Sequence, residues 1–481
     1  MLVAAQRRLL AGFSSMLLPG AGQLLTGARR RGLILLGVSA TLLVLAGLAT
    51  LRTAHSIDRQ LLGTIVLGDV GLLAFRLYAV LDASRVPPGV LARLALAGLV
   101  AATALPHVAA GYVAVRSYDV LETVFAEEEP GDILPAHGLF VGVTPGKERR
   151  YPGIAAQPAA PRSAPVAEPR LDVPIGGSRH VLAKAQPLQG KPWTTILLLG
   201  TDEGPGNFGA RTDTMILVAV QHGTGRAVAF GIPRNLVGVP LGGDVAKTIK
   251  RFGQPLNALY GFAGEKPELF PGGVDPGATA LKQAVSTLLG VRVDYFALVN
   301  LRGFADLVDG LGGVTILVKE RLVDEVTRPA WGEPKPRIDV VPGRRYHFYG
   351  REALAYVRSR KASSDYTRMA RQRCFLSAMA AQLDPVHVLR NFPALTGTVK
   401  RNVHTDVPLK RLPALIRLVA AIDPAETLTE TFGSNYIASR RKADNYPLPK
   451  IAMMRNTVRD AILHPERAAA KRGIATTGKS C

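Results

Sequence analysis

Three long apolar segments occupy most of the chain up to residue 115. They run over Gly32–Leu51, Leu61–Ala83 and Val90–Val115. Each is long enough to cross the ~30 Å hydrocarbon core of a bilayer as a helix rising about 1.5 Å per residue. Because several such segments follow one another, and no small-residue cleavage site closes the first, a cleavable signal peptide is a poor alternative. The pattern predicts a membrane anchor of about three helices.

Basic residues are concentrated before the first of these segments. Five arginines lie between residues 7 and 31, whereas the loop after the segment holds only Arg52 and Arg59. Since cytoplasmic loops are enriched in Lys and Arg, this bias places the N-terminus in the cytoplasm. Three crossings then place the residues after Val115 outside the cell.

Two parts of the anchor are less regular. Leu9–Leu25 contains Pro19-Gly-Ala-Gly-Gln23 and is too short and too broken for a span, so it is expected to lie in the membrane interface or to re-enter. Asp69 and Arg76 lie on one face of the second segment and are expected to pair inside the bundle. Such a pair is either functional or structural, and a snorkelling Arg76 is a further alternative.

Beyond residue 192 the apolar pattern changes to short runs. Ile196–Leu199, Thr214–Val220 and Ala227–Ile232 are continuously apolar, which is typical of strands buried on both faces. An Asp-Pro pair at 275–276 predicts the start of a helix that ends at Gly290. Strand and helix patterns then continue to alternate. The alternation predicts an α/β fold in which helices cover a mixed central sheet.

Changes in composition divide the chain into five parts. Residues 1–31 form a cytoplasmic or interfacial segment, and residues 32–116 form the transmembrane anchor. Residues 117–192 form an extracellular linker rich in Pro and Ala, which is expected to be flexible and partly extended. Residues 193–440 form the folded domain, and residues 441–481 form a C-terminal helix and a basic tail.

Composition and motifs narrow the classes of function. The net charge is +22, but no zinc-finger or basic-zipper pattern is present, so no nucleic-acid partner is expected. Two cysteines, Cys374 and Cys481, are too few for a cysteine-rich metal site or a disulfide framework. Segment 473–480 matches a phosphate-binding loop, but no strand precedes it and no helix follows it. The G-x-S-x-G and H-E-x-x-H motifs of serine hydrolases and zinc peptidases are absent.

Charged residues gather at the ends of the predicted strands. Asp202 follows the first strand, Arg211 and Asp213 precede the second, and Arg234 follows the third. A second charged group lies on two predicted helices nearer the C-terminus. It consists of Arg358, Arg360, Asp365, Arg368, Arg371 and Gln372.

The second group has the residue types of a phosphate site. Its last three members are spaced i, i+3 and i+4, so they share one helix face. The planar guanidinium group binds phosphate oxygens through paired hydrogen bonds and stays charged. A solvated basic helix is the alternative that charge alone leaves open.

Seven blocks of the sequence resemble, in the same order, the LytR-CpsA-Psr family of bacterial cell-envelope proteins. The blocks are Ile196-Leu-Leu-Leu-Gly-Thr-Asp202, Arg211-Thr-Asp213-Thr-Met215, Ile232-Pro-Arg234, Asn257-Ala-Leu-Tyr260, Val308-Asp-Gly-Leu-Gly-Gly-Val314, Ala353-Leu-Ala-Tyr-Val-Arg-Ser-Arg360, and Asp365-Tyr-Thr-Arg368 with Arg371-Gln372. An anchor followed by an outward-facing domain agrees with this resemblance.

The resemblance implies a phosphotransferase that moves a glycopolymer from a polyprenyl-pyrophosphate carrier onto peptidoglycan. It also implies an α/β/α sandwich with a hydrophobic pocket for the lipid chain and a magnesium-bound pyrophosphate at the mouth of the pocket. The implied partners are the lipid-linked glycopolymer, peptidoglycan and the lipid bilayer. The implied location is the cell membrane, crossed several times, with the catalytic domain outside. The implied nucleophile is a peptidoglycan sugar hydroxyl, such as that on C6 of N-acetylmuramic acid.

Residue roles follow from the same resemblance. The implied Mg²⁺ ligands are Asp202 and Asp213. The residues implied to surround the pyrophosphate are Arg211, Arg234, Arg358, Arg360, Arg368, Arg371 and Gln372. The residues implied to act in catalysis are Arg211, Arg234, Asp365 and Arg371, with Asp365 either orienting the arginines or assisting the incoming hydroxyl. Phosphoryl transfer needs charge neutralisation and alignment, and Mg²⁺ usually takes only one or two carboxylates.

One departure from the family pattern keeps other functions open. Asn235 stands where the family usually has Asp, which removes a charge beside Arg234. The alternatives are a non-catalytic envelope protein that binds polyprenyl pyrophosphate, a regulator of wall turnover, and a hydrolase that uses water as the nucleophile. The sequence does not determine the general base or the glycopolymer.

Overall fold

The computed structural model of the chain describes residues 2–53, 59–85, 90–125, 136–137, 140–141, 193–202, 210–271, 275–325, 337–359, 364–382, 392–424, 426–465, 468–469 and 474–476. Most of the predicted linker, the predicted site residue Arg360 and the end of the basic tail lie outside the described residues.

Helices make up the N-terminal part of the chain. They are α1 (Leu2–Leu17), α2 (Ala21–Leu25), α3 (Arg29–Thr53), α4 (Arg59–Ser84) and α5 (Val90–Val124). Three windows are long and apolar enough to cross a membrane, namely Arg29–Leu48, Gly63–Ser84 and Val90–Leu121. They coincide with the three predicted segments, and most of their side chains face outward, as contact with lipid requires. α5 continues past residue 116, the predicted end of the anchor.

The segment before the first predicted span is helical and packed. α1 lies so close to α4 that a Cβ at Gly12 would collide with the hydroxyl of Ser84. Gln23 on α2 donates from Nε2 to the carbonyl oxygen of Ala79 on α4 (2.9 Å). Leu9–Leu25 therefore forms parts of two helices that pack against the last turns of α4.

The predicted pairing of Asp69 with Arg76 is wrong. Asp69 Oδ1 lies 2.7 Å from Nδ1 of His107 on α5. Arg76 Nη2 donates to the carbonyl oxygen of Met16 on α1 (2.5 Å). Seven residues cover about 10 Å along a helix, which is too far for a short aspartate, whereas neighbouring helices bring partners into contact. Both charged side chains therefore link helices of the bundle.

The strands are β1 (Ala136–His137), β2 (Phe140–Val141), β3 (Trp193–Thr201), β4 (Thr212–Gln221), β5 (Ala227–Gly231), β6 (Val239–Pro240), β7 (Arg251–Phe252), β8 (Tyr295–Asn300), β9 (Val314–Leu317), β10 (Leu322–Glu325), β11 (Arg337–Val340), β12 (Arg345–Phe348), β13 (Val403–Thr405), β14 (Leu428–Thr431), β15 (Ile437–Arg440), β16 (Pro447–Pro449) and β17 (Ala475–Thr476). Within the described ranges, seven of them form a mixed sheet in the order β13-β8-β3-β4-β5-β14-β17. β8 is parallel to β3 and β14 is parallel to β5, while the other neighbours are antiparallel.

Helices cover both faces of this sheet. They are α6 (Val245–Thr248), α7 (Leu259–Glu265), α8 (Pro276–Leu289), α9 (Leu301–Gly310), α10 (Gly350–Arg358), α11 (Asp365–Ala381), α12 (Phe392–Asn402), α13 (Leu412–Ala420) and α14 (Ile451–Leu463). α8 and α14 pack on the face that carries Leu197, Leu217 and Phe230. α13 packs on the opposite face, against Val218 and Val220. The α/β/α sandwich with a mixed sheet is therefore confirmed.

Local sequence signals account for the bounds of α8. Asp275 Oδ1 accepts from the backbone N–H of Ala278 (3.0 Å), and Pro276 occupies the first helical position. Gly290 ends the helix with a φ of 68°, a backbone conformation that other residues adopt only at a cost. Both ends agree with the sequence prediction.

A smaller apolar cluster supports the two helices of the second charged group. It joins β9, β10, β11 and β12 to α10 and α11 through side chains that include Phe348, Tyr356 and Phe375. α11 also contacts β5 and β14 of the central sheet. The cluster therefore holds α11 across the ends of these strands. Cys374 on α11, which had no expected role, is disulfide-bonded, as is common outside the cytoplasm.

Candidate active site

Strand pairing brings the first charged group to one edge of the sheet. β3 and β4 are antiparallel and Thr201 pairs with Thr212, so Asp202 and Asp213 both lie at this edge. β5 is antiparallel to β4 and ends near the same edge, where Arg234 follows it. We call this edge, marked by Asp202, Asp213 and Arg234, the site edge. The expectation that charges gather at strand ends agrees with the topology.

Arg234 joins two carboxylates that are distant in sequence. Its Nη1 lies 2.5 Å from Asp213 Oδ2, and its Nη2 lies 3.5 Å from Asp365 Oδ1. The side chain of Arg234 is 15% exposed, so the guanidinium group is largely desolvated but can still be reached from solvent. Burial lowers the pKa of Arg234, but Asp213 and Asp365 outweigh it and raise the pKa above its ordinary value. Arg234 therefore stays charged.

Arg368 completes a cluster around the same two aspartates. Its Nη2 lies 3.0 Å from Asp365 Oδ1, and its Nη1 and Nη2 each donate to the backbone carbonyl oxygen of Asp213 (3.2 Å). The side chain is only 4% exposed. We call Arg234, Arg368, Asp213 and Asp365 the carboxylate-arginine cluster. It unites members of the two predicted charged groups.

The electrostatic environment differs between the two aspartates of the site edge. Burial raises the pKa of Asp213, but the charge of Arg234 and hydrogen bonds from Arg234 and Asn257 more than offset this, so the pKa lies below its ordinary value. Burial and the neighbouring Asp213 raise the pKa of Asp202, and the backbone N–H of Arg211 offsets this only in part. The pKa values of the two aspartates are therefore shifted in opposite directions.

Asp365 uses its two oxygens differently. Oδ1 accepts from Arg368 Nε (3.1 Å) and faces Arg234, whereas Oδ2 is buried and has no hydrogen-bond partner among the described residues. Ser364, the N-cap of α11, accepts from the backbone N–H of Thr367 (3.2 Å) and so fixes the turn that carries Asp365. A buried acceptor without a partner is costly. Oδ2 therefore keeps an unused capacity to accept a hydrogen bond.

Arg371 and Gln372 hold the end of α10. Arg371 Nη1 donates to the carbonyl oxygens of Tyr356 and Ser359, each at 3.0 Å. Gln372 Nε2 donates to the carbonyl oxygen of Val357 (3.2 Å). Since the last carbonyl groups of a helix lack partners within it, these two side chains fix the point at which α10 ends.

The structure places the remaining predicted residues around this framework. Arg211 donates its backbone N–H to Asp202 Oδ1 (2.7 Å), and its side chain is exposed. Arg358 is half-buried at the end of α10, and Arg360 lies outside the described residues. Asn235 is half-buried, and in the described part of the chain its Oδ1 has no hydrogen-bond partner.

Two residues without a predicted role support the site. Asn257 donates from Nδ2 to Asp213 Oδ1 (3.0 Å), and the only signal for it was its place in a block that resembles the family. Asp324 on β10 accepts from Ser359 Oγ (2.5 Å), and both residues are buried. No local pattern indicates the Asp324 contact, because it joins distant parts of the chain.

The donor set at the site edge suits Mg²⁺. In the ranges that the structure describes, no group of three or more His, Cys, Asp or Glu side chains is placed to hold a metal ion. Mg²⁺ usually takes one or two carboxylates and completes its shell with water and phosphate oxygens. Asp202 and Asp213 supply two carboxylates at the same ends of the paired strands β3 and β4. The residues present therefore fit this ion.

Comparison with known proteins gives a family and distant relatives. A model of the LytR-CpsA-Psr family matches residues 175–447, which is more than half of the chain. Biofilm regulatory protein A of Streptococcus mutans is 24% identical over 264 residues, covering 53% of this chain and 59% of that protein. Polyisoprenyl-teichoic acid–peptidoglycan teichoic acid transferase TagT of Bacillus subtilis is 28% identical over 251 residues, covering 50% of this chain and 69% of TagT.

The match to these relatives is partial. The chain spans 59% of the length of the first relative and 69% of the second. Among solved structures, TagV of B. subtilis aligns with a TM-score of 0.40 and 22% identity, covering 56% of this chain and 96% of TagV.

Proposed function

Because the chain belongs to the LytR-CpsA-Psr family, we propose that it is a phosphotransferase that ligates a glycopolymer from a polyprenyl-pyrophosphate carrier to peptidoglycan. The observation that carries this proposal is the carboxylate-arginine cluster, in which Arg234 and Arg368 are fixed between Asp213 and Asp365. The relative TagT, a polyisoprenyl-teichoic acid–peptidoglycan teichoic acid transferase, supports the class of reaction.

In the proposed reaction, a peptidoglycan hydroxyl attacks the phosphorus atom that bears the glycopolymer. A P–O bond to the acceptor oxygen forms, and the bond from this phosphorus to the bridging oxygen breaks. Polyprenyl phosphate leaves with the electron pair of the broken bond, and the product is a phosphodiester. The hydroxyl proton passes to Asp365 Oδ2, the buried carboxylate oxygen that has no other partner in the described part of the chain.

The arginines of the cluster have separate tasks in this proposal. Arg234, which solvent can reach, contacts the pyrophosphate directly, while the more deeply buried Arg368 holds Asp365 and the backbone of Asp213 in place. Phosphoryl transfer is catalysed mainly by positioning and charge neutralisation. Guanidinium groups that are already fixed do not have to reorganise during the reaction.

We further propose that Asp202 and Asp213 bind Mg²⁺. When bound, the ion neutralises charge on the pyrophosphate oxygens and stabilises the leaving group. The assignment is supported by the position of Asp202 and Asp213 at the same ends of the paired strands β3 and β4, and by the raised pKa of Asp202, which burial and Asp213 cause.

Replacing Asp202 with asparagine is expected to weaken binding of Mn²⁺, a spectroscopic substitute for Mg²⁺, by at least ~100-fold. Changes to residues that only support a metal ligand already cost ~10–100-fold in affinity, and this change removes the negative charge of a direct ligand. Electron paramagnetic resonance of free Mn²⁺ measures the affinity without turnover. Asp306→Asn, a change in an aspartate that faces Arg302 on the surface of α9, is the control and should bind as the wild type does. Equal affinity in Asp202→Asn and the wild type contradicts the assignment.

We also propose that α3, α4 and α5 each cross the cytoplasmic membrane and that the domain from residue 193 lies outside. The supports are the apolar helices, the arginines before the first of them and the disulfide-bonded Cys374.

One specific observation favours a regulatory alternative. Asn235 stands beside Arg234 where the pattern of the family usually has Asp, and the relative from Streptococcus mutans is named a biofilm regulatory protein. In that case the protein binds polyprenyl pyrophosphate without consuming it. Hydrolysis, with water in place of the sugar hydroxyl, uses the same groups.

A product analysis separates these three functions. The full-length protein in nanodiscs is given a polyprenyl-pyrophosphate-linked saccharide and Mg²⁺, with or without a peptidoglycan oligomer. A ligase yields equal amounts of phosphodiester-linked saccharide and polyprenyl phosphate, and only when the oligomer is present. A hydrolase releases saccharide phosphate without the oligomer. A protein that only binds the lipid retains the donor unchanged, which would overturn the proposal.

A further inference from the structure

The last membrane helix does not end at the bilayer. α5 contains 35 residues, and such a helix is about 52 Å long, roughly 20 Å more than the hydrocarbon core requires. The guanidinium of Arg116 lies over the ring of Tyr112, 5.6 Å from its centroid. Aromatic and basic side chains are typical of the membrane interface. The turns of α5 after Arg116 therefore project from the membrane as part of one continuous helix.

The first contact of these projecting turns lies toward the site edge. Asp119 forms an ion pair with Lys400 of α12, and α5 packs along α12. α12 leads directly into β13, whose first residue pairs near the end of β8. The end of β8 lies beside Thr201, the residue before Asp202.

The second contact lies toward the opposite edge of the sheet. Phe125, which follows α5, packs against the apolar cluster that includes Val220, Tyr295 and Leu415. Tyr295 is the first residue of β8, and Val220 is the last but one of β4. These strand ends are the ones farthest from the site edge.

The two contacts fix the direction of α5 relative to the sheet. From Asp119 to Phe125 the helix advances about 9 Å, and the part of β8 between the two contact levels covers about 13 Å. The helix therefore runs alongside the sheet from the site edge toward the opposite edge. Because the membrane lies at the beginning of this projecting segment, the site edge faces the bilayer.

We propose that the projecting part of α5 is a stalk that holds the site edge against the membrane surface. The site then takes its phosphate ligand from the headgroup of a lipid in the same bilayer rather than from solution. This inference rests on the proposed function for the identity of the reaction, but not for the orientation. Arg234 and the exposed side chain of Arg211 lie on the side from which such a headgroup approaches.

The orientation of the domain relative to the membrane is measured by energy transfer, which requires no catalytic turnover. A donor fluorophore is attached through an encoded azide at Arg302, in the first turn after β8, or at Thr224, in the exposed turn between β4 and β5. The full-length protein is placed in vesicles that contain an acceptor-labelled lipid. The label at 302 should transfer energy more efficiently, because the two positions differ in height by about 20 Å, the length of a six-residue strand. Equal or reversed efficiencies overturn the proposal.

A pair of insertions tests whether the stalk sets the orientation of the domain relative to the membrane. Gly-Gly-Ser inserted between Arg116 and Ser117 breaks the continuous helix and should remove the difference between the two labels. The same tripeptide inserted after Lys442, in the exposed turn between β15 and β16, is the matched control and should preserve it. A difference that survives the insertion after Arg116 shows that α5 does not set the orientation.

The source of the phosphate ligand is tested with two donors of the same chemistry. One is a long-chain pyrophosphate donor in the vesicle, and the other is a short-chain donor in solution. The insertion after Arg116 should slow use of the vesicle donor by about tenfold or more, because it removes the high effective concentration that the stalk provides. It should leave use of the soluble donor unchanged, and equal losses with both donors contradict the proposal. If the wild type uses neither donor, the proposed reaction fails, while the energy-transfer result still decides the orientation.

Discussion

Replacing Arg234 with lysine is expected to lower the transfer rate by about 10²–10³-fold, the usual cost of removing one group that stabilises charge in a transition state. The two Nη atoms of Arg234 face different carboxylates, Asp213 and Asp365. A lysine ammonium is a point charge on a flexible stem, so it cannot span both carboxylates with a fixed planar group. The change keeps the positive charge and removes the planar group that contacts both carboxylates. Initial rates of phosphodiester formation by the full-length protein measure the effect.

A second conservative change serves as the control for loss of the fold and for the replacement of an arginine by a lysine elsewhere in the domain. Arg302→Lys alters an arginine whose side chain is 63% exposed and 3.7 Å from Asp306, and it should retain the wild-type rate. Thermal unfolding of both variants shows whether either has lost the fold. A folded Arg234→Lys variant that transfers as fast as Arg302→Lys would show that the bridge between the carboxylates is not used in catalysis.

Asp365→Asn is expected to lower the rate constant of the chemical step by about 10²–10⁴-fold, the range over which a positioned general base contributes. The amide is nearly the same shape as the carboxylate but cannot take the hydroxyl proton. Donor binding should be unchanged or tighter, because Arg234 and Arg368 lose a competing negative charge. Single-turnover kinetics at saturating donor measures the chemical step, and equilibrium binding of the lipid donor is measured separately.

Replacing a general base lowers the rate of the chemical step without weakening donor binding, whereas replacing a structural residue lowers both. Asp339→Asn, a change at an exposed aspartate near Arg321, should alter neither quantity. If Asp365→Asn loses donor affinity and rate to the same extent, Asp365 only orients the arginines. If it loses neither, the proton passes to another group.

Much of the fold was predictable because its signals are local. The three long apolar helices, the buried strands and the N-cap of α8 at Asp275 each depend on residues that are near one another in sequence. The Asp69–Arg76 pairing was wrong because the competing partners, His107 and Met16, come from other helices. A pattern along one helix does not show which neighbours pack against it.

In the candidate site, too, features with local signals were predictable and contacts between distant parts of the chain were not. The sequence predicts that Asp202, Asp213 and Arg234 lie at strand ends, and the pairing of β3, β4 and β5 brings those ends to one edge of the sheet. The contacts of Arg371 with α10 and of Asp324 with Ser359 depend on the packing of α11 and β10, which no spacing in the sequence specifies. The predicted role of Arg371 in phosphate binding stays a prediction.

In the proposed reaction, the pyrophosphate of the carrier is cleaved at the cluster around Arg234, and one phosphorus atom passes to peptidoglycan. The most direct test uses two donors, one carrying ³²P in the phosphate next to the glycopolymer and the other carrying it in the phosphate next to the polyprenol. We expect the first label to appear on peptidoglycan and the second to stay with polyprenyl phosphate. Retention of both labels in a polyprenyl pyrophosphate product would mean that the sugar is transferred without its phosphate, and would contradict the proposed reaction.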